Sequence, residues 1–149
     1  MAAPTTYSFK KLIIMLGDGG TPEVFAAPCV LTSRGVNFTK ETNDVTVPDC
    51  DDPDLPSWTE RDVASQAVSI SGSGILAAEA HATWRTAYLN TDSINVRVKI
   101  DDTLANGGGY YYGKFHLTQF NITGELGNKL QVEISLESDG VVAWQAALV

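Results

Sequence analysis

Side chains that carry chemistry are scarce in this chain of 149 residues, which has only two cysteines, two histidines and two methionines. Cys29 and Cys50 lie far apart with no Cys-x-x-Cys pair, and with only His81 and His116 beside them they offer too few soft ligands for a zinc site. Both cysteines read as reduced and structural. The same scarcity leaves no Ser-His-Asp or Cys-His set on which to argue nucleophilic catalysis. Basic residues are few: ten Lys and Arg face 18 Asp and Glu, for a net charge of -8 and no basic patch, which excludes a DNA-gripping surface. The apolar run near the start, Leu12 to Leu16, is cut off by Gly17 and Asp18 and is too short for a signal peptide or a membrane span. The expectation is a protein made and kept in the cytoplasm, without membrane contact, where the sequons at Asn37 and Asn121 mean little.

What is present fits a globular chain, with 44% hydrophobic and 19% charged residues, and residues 1–149 are the length of one domain. In "SINVRVKID" the residues Ile94, Val96, Val98 and Ile100 alternate with Asn95, Arg97, Lys99 and Asp101. In "LQVEISLE" Leu130, Val132, Ile134 and Leu136 alternate with Gln131, Glu133, Ser135 and Glu137. Strict period two predicts strands with one wet face, as in antiparallel sheets. "SFKKLIIML", "GDGG" and "EVFAA" read as a hairpin, and "LTSRGVNFTKE" as a third strand. In "KFHLTQFNIT" the apolar phase slips by one residue, which a bulge near Thr118 and Gln119 would absorb. "DDTLANGGG" reads as a flexible loop, "YYYG" as the start of the strand after it, and "VVAWQAALV" as an apolar terminal segment of open form. One amphipathic helix is expected in "ILAAEAHATWRTAYLN", with Leu76, Ala80, Trp84 and Tyr88 on its stripe, Ala77 and Ala87 beside it, and Asn90 as its stop.

The stretch "VSISGSGILAAEAHATW" also holds Gly72, Gly74 and Ala77 in the spacing of a dinucleotide-binding fingerprint. That fold needs alternating strands and helices, with parallel strands buried on both faces. Here the strand after the helix alternates, the other elements are strands, and the only acid near the required position, Asp92, precedes that strand. No cofactor is expected. Read in period two, Val68, Ile70, Gly72, Gly74 and Leu76 share one face while Ser69, Ser71 and Ser73 share the other, and such small residues let another backbone or subunit come close.

Charge is concentrated in one place. Between Glu41 and Asp62 eight acids (Glu41, Asp44, Asp49, Asp51, Asp52, Asp54, Glu60, Asp62) meet one base, Arg61, so this segment carries -7 of the total and holds half of the six prolines. It reads as a stiff, extended acidic loop at about 42–62. Asp49, Asp51 and Glu60 take positions one, three and twelve of a calcium loop, but Pro53 and Asp54 stand at the fifth and sixth, where the sixth needs glycine, so the EF-hand fails. Paired carboxylates in a Pro-rich loop are solvated rather than catalytic. Trp58 either anchors an interface or caps the domain's own core.

The order of these features, and the strings "WTERDV" and "SISGSGIL" above all, resembles the tail tube (major tail) proteins of long-tailed bacteriophages and of phage-like gene transfer agents. The resemblance implies a mainly β fold, an antiparallel β-sandwich or barrel with one flanking helix, similar also to type VI secretion tube proteins. It implies a structural subunit rather than an enzyme, with no catalytic, cofactor or metal residues. Its partners would be its own copies in stacked hexameric rings, the tape-measure, tail terminator and distal tail proteins, and DNA that passes through without specific binding. The place would be the virion tail, assembled in the host bacterial cytoplasm. Candidate subunit and ring contacts are Asp49, Asp51, Asp52, Asp54, Trp58, Arg61, Ser71, Gly72, Ser73 and Gly74, with Arg34, Lys40, Arg97 and Lys99 as basic partners in a neighbour. The alternative is a monomeric ligand- or carbohydrate-binding β-sandwich using Tyr110, Tyr111 and Tyr112 as a stacking platform.

Overall fold

The computed structural model describes residues 3–20, 22–28 and 31–148, so Cys29 lies outside the described residues. Eight strands form one antiparallel sheet: β1 (Leu12–Gly17), β2 (Phe25–Ala26), β3 (Leu31–Val47), β4 (Trp58–Ile75), β5 (Ile94–Ile100), β6 (Gly109–Thr123), β7 (Gln131–Ser138) and β8 (Ala143–Ala146), with α1 (Ala78–Leu89) between β4 and β5. The order across the sheet is β2-β1-β5-β6-β7-β4-β3, and β8 pairs with the first residues of β6.

Period two decides the inside of this sheet. Val96 and Val98 of β5, Val132, Ile134 and Leu136 of β7, and Val68 and Ile70 of β4 are buried together with Ile14, Leu16, Leu31, Phe115 and Leu117. Burying each such side chain contributes about 1.5–3 kcal/mol. The sheet is curled, because residues of its two distant sides share this core: Leu31 and Val36 of β3 pack in the same cluster as Leu12, Ile14 and Leu16 of β1. The Arg34 guanidinium on β3 also donates to the Leu12 carbonyl. The phase slip in β6 is a bulge between Leu117 and Gln119, where the Thr118 hydroxyl donates to the Ser135 carbonyl at 3.2 Å.

α1 closes one side of the sheet with Ala80 and Trp84, both buried. Asn90 ends it, its side-chain oxygen accepting from the Asp92 amide at 3.0 Å. Tyr88 departs from the expected stripe and is 54% exposed. Leu76 lies before the helix, and on 3.6 residues per turn a spacing of four drifts about 40° per step, so two steps from Ala80 carry Tyr88 about 80° off the core side. The β1–β2 turn uses Gly19 at φ 76, and Asp18 accepts from the Gly20 and Val24 amides, which lowers its carboxyl pKa. "YYYG" and "KFHLTQFNIT" form one continuous strand, and the terminal apolar segment contributes β8.

The acidic segment corrects its expected form. Residues 42–47 and 58–62 are strand, not loop, and only 48–57 connect them. β3 and β4 pair from Leu31↔Gly74 out to Val47↔Trp58, so the acidic residues tip a long hairpin. Period-two apolar signal is missing there because neither face of the ribbon is buried.

Candidate assembly surface

The two halves of this hairpin share one antiparallel ladder and differ in what flanks and covers them. In the inner half β4 is flanked on both sides: Ser69 to Ile75 pair with Glu137 to Gln131 of β7, and the other edge pairs with β3. In the outer half, Phe38–Val47 and Trp58–Val68 pair only with each other. At ~3.3 Å per residue this arm is about 30 Å long. A two-stranded ribbon with no third strand and no covered face is marginal in water. A bulge between Glu41 and Thr42, with Ala64 as the extra residue of β4, adds twist to it.

The candidate contact residues divide between these halves. Gly72 and Gly74 are buried in this chain's own core, where a methyl group at Gly72 would lie 3.3 Å from Leu31 Cδ1 and 3.4 Å from Ile134 Cδ1. The small size of Gly72 therefore serves close packing within the chain. Ser71 is exposed and Ser73 half-buried, on the opposite face. The remaining candidates sit on the arm. Asp49 and Asp52 shape its tip through their side chains, accepting from the amides of Asp51 at 2.8 Å and Asp54 at 3.3 Å. Asp51 and Asp54 are exposed beside the free thiol of Cys50. Arg61 pairs across the ribbon with Asp44 at 3.0 Å, opposite it in register. Trp58 forms the last rung with Val47 and is 88% exposed, so it caps no core of this chain.

Three of the four expected basic partners are engaged within the chain. Arg34 also lies over the Phe9 ring at 4.6 Å, Arg97 lies over Phe25 at 3.9 Å, and Lys99 is 3.6 Å from Asp101. Lys40, on the arm, has neither an ion-pair partner nor a ring beneath it among the described residues. The three tyrosines split by alternation: Tyr110 and Tyr112 share one face at 5.9 Å with rings tilted by 58°, whereas Tyr111 packs on Phe38 and Trp144 from the other.

Sequence reasoning missed a groove of about 810 Å³ at the base of the arm, walled by Phe38 and Val63 on the arm and by Tyr111, Val141 and Trp144 on the body. Its residues are far apart in sequence. The signal available was the run of alternate positions Val36, Phe38 and Lys40, which carries the core face of β3 past the last residue of the neighbouring body.

Among the described residues the fold is that of a mainly β protein with one flanking α-helix and a protruding two-stranded arm. The chain belongs to the phage tail tube protein family, whose model matches residues 6–143. Its fold is similar to that of a chain in the tail of an empty gene transfer agent particle of C6 symmetry, at 23% identity over 95% of this chain and 100% of that one, with a TM-score of 0.78. It is similar to the SPP1 tail tube protein at 11% identity, 97% and 81% coverage and a TM-score of 0.68. A chain of the anti-feeding prophage cap, which terminates a tube, matches at 15% identity, 99% and 95% coverage and a TM-score of 0.62. At these identities the likeness is one of fold. Among curated proteins none matches.

Proposed function

We propose that this chain is the structural subunit of a phage or gene transfer agent tail tube, forming hexameric rings that stack around a lumen through which DNA passes during ejection. The observation that carries the reading is the arm: a ribbon that its own body does not stabilise is built to be covered by a neighbour. Membership of the tail tube family supports it, as does the C6 symmetry of the gene transfer agent tail of similar fold.

β3 ends the sheet order, so its outer edge is free to accept a strand from the next subunit, and repeated edge pairing joins the sheets into one inner barrel. A contact between unlike surfaces of identical copies closes into a ring or grows as a filament. With a net charge of -8 and no basic patch, the subunit repels phosphates over a Debye length of ~8 Å at physiological salt, so DNA slides rather than sticks. The role is structural rather than catalytic. Assembly takes place in the host bacterial cytoplasm, and the finished tube meets tape-measure, tail terminator and distal tail proteins in the virion tail.

Negative-stain electron microscopy at rising protein concentration, with sedimentation alongside, tests this reading. Rings or tubes with a central channel are expected. A compact monomer at every concentration would overturn it.

A further inference from the structure

We infer that the acidic tip of the arm in one copy docks into the aromatic groove at the arm's base in a second copy, an inference that rests on the tube reading and names the two surfaces that meet. The groove is apolar and open: Phe38 is 56% and Val141 86% exposed, and the Tyr111 ring lies 5.0 Å from Phe38 and 4.6 Å from Trp144. Its one charged lining residue is Lys40, which has no ion-pair partner among the described residues.

The complementary surface is on the same chain. The tip presents Asp49, Asp51, Asp52 and Asp54, and beside them two exposed apolar anchors, Leu55 and Trp58. Indole against Tyr111 and Trp144 gains contact area and offset ring packing, and a carboxylate against Lys40 sets the orientation. A copy cannot fill its own groove. Seven rungs of ribbon separate Val47↔Trp58 from Lys40↔Gln66, about 23 Å at ~3.3 Å each. The contact is therefore between copies and head to tail, and it can repeat without limit.

The test uses the natural thiol at the tip. In a Cys29→Ser background that keeps Cys50, Gln66→Cys places a second thiol on the exposed rung opposite Lys40, within the groove. A disulfide requires Cα atoms within about 7 Å, which the two positions cannot reach inside one copy. Under mild oxidation the full-length protein should give a ladder of linked dimers and higher multimers. Trp58→Ala, or Lys40→Glu, should reduce that ladder at least tenfold. So should Asp51→Lys with Asp52→Lys, and an equal mixture of the Lys40→Glu and double-lysine copies should restore it, since the reversed groove of one variant then meets the lysine-bearing tip of the other, whose own Lys40 groove meets an acidic tip. No ladder, or a ladder that survives every substitution unchanged, would overturn the inference. Microscopy of the same samples separates the two readings: tubes without a ladder retire the groove contact and keep the tube, whereas a ladder without tubes keeps the contact and retires the tube.

Discussion

The inner and outer halves of the β3–β4 hairpin are the same two strands under opposite conditions. Between Ser69 and Ile75, β4 is paired on both edges and buries Ile70, Gly72 and Gly74. From Trp58 to Ala67 it has one neighbour, and every residue is exposed. Backbone pairing is continuous through both, so hydrogen bonding does not distinguish them; the number of covered faces does. The lesson is that a strand ladder can be extended beyond a core at little structural cost, but a ladder so extended gains its stability only from what covers it later.

The largest expected effect lies in the inner half. Gly72→Asp puts a carboxylate where even a methyl group crowds Leu31 and Ile134, and should cost on the order of 4 kcal/mol or more in urea unfolding. It should also prevent assembly, but by unfolding the subunit rather than by blocking a contact; a folded Gly72→Asp monomer of normal stability would break the distinction between the halves. Ile70→Ala, fully buried beside it, should cost about 2–5 kcal/mol, against about 0.5 kcal/mol or less for Val45→Ala on the arm.

Acid should loosen the body through a different group. Lys11 donates to Asp102 at 2.9 Å, and with the Thr103 amide and the Asn106 side chain it holds that carboxyl at about 2. Because the folded value lies below the unfolded value of about 3.9, this clamp stabilises the fold above about pH 4, and its contribution disappears as pH falls through about 2. Asp102→Asn should remove that part of the pH dependence, as read from unfolding midpoints between pH 5 and 2; an unchanged profile would exclude the clamp. Removing residues 48–56 should leave unfolding within about 1 kcal/mol of the parent while abolishing tubes. Smallest of all is Arg61→Ala, which breaks an exposed pair with Asp44 and should cost about 0.5 kcal/mol or less.

The body was legible in the sequence because its faces are unequal. Val96 and Val98, or Val132, Ile134 and Leu136, alternate with polar residues only because one side meets a core. Ala80 and Trp84 marked the helix for the same reason, and the slip at Thr118 could be read as a bulge. The arm was not legible in this way. Its β-branched residues, Val45, Thr46, Val47, Thr59 and Val63, favour strand, but with both faces wet they carry no period, and the acids and prolines of the tip dominate the reading. Trp58 could be singled out as an anchor, whereas the groove could not, since Phe38, Tyr111 and Trp144 meet only through the register of distant strands.

Amide hydrogen exchange in the free subunit and in assembled protein tests the central claim most directly. If the arm is stabilised by neighbours, amides of Phe38–Val47 and Trp58–Ala67 exchange far faster than those of Ser69–Ile75 in the free subunit and become protected on assembly. Arm amides already protected in the free subunit, or still fast in the tube, would contradict it.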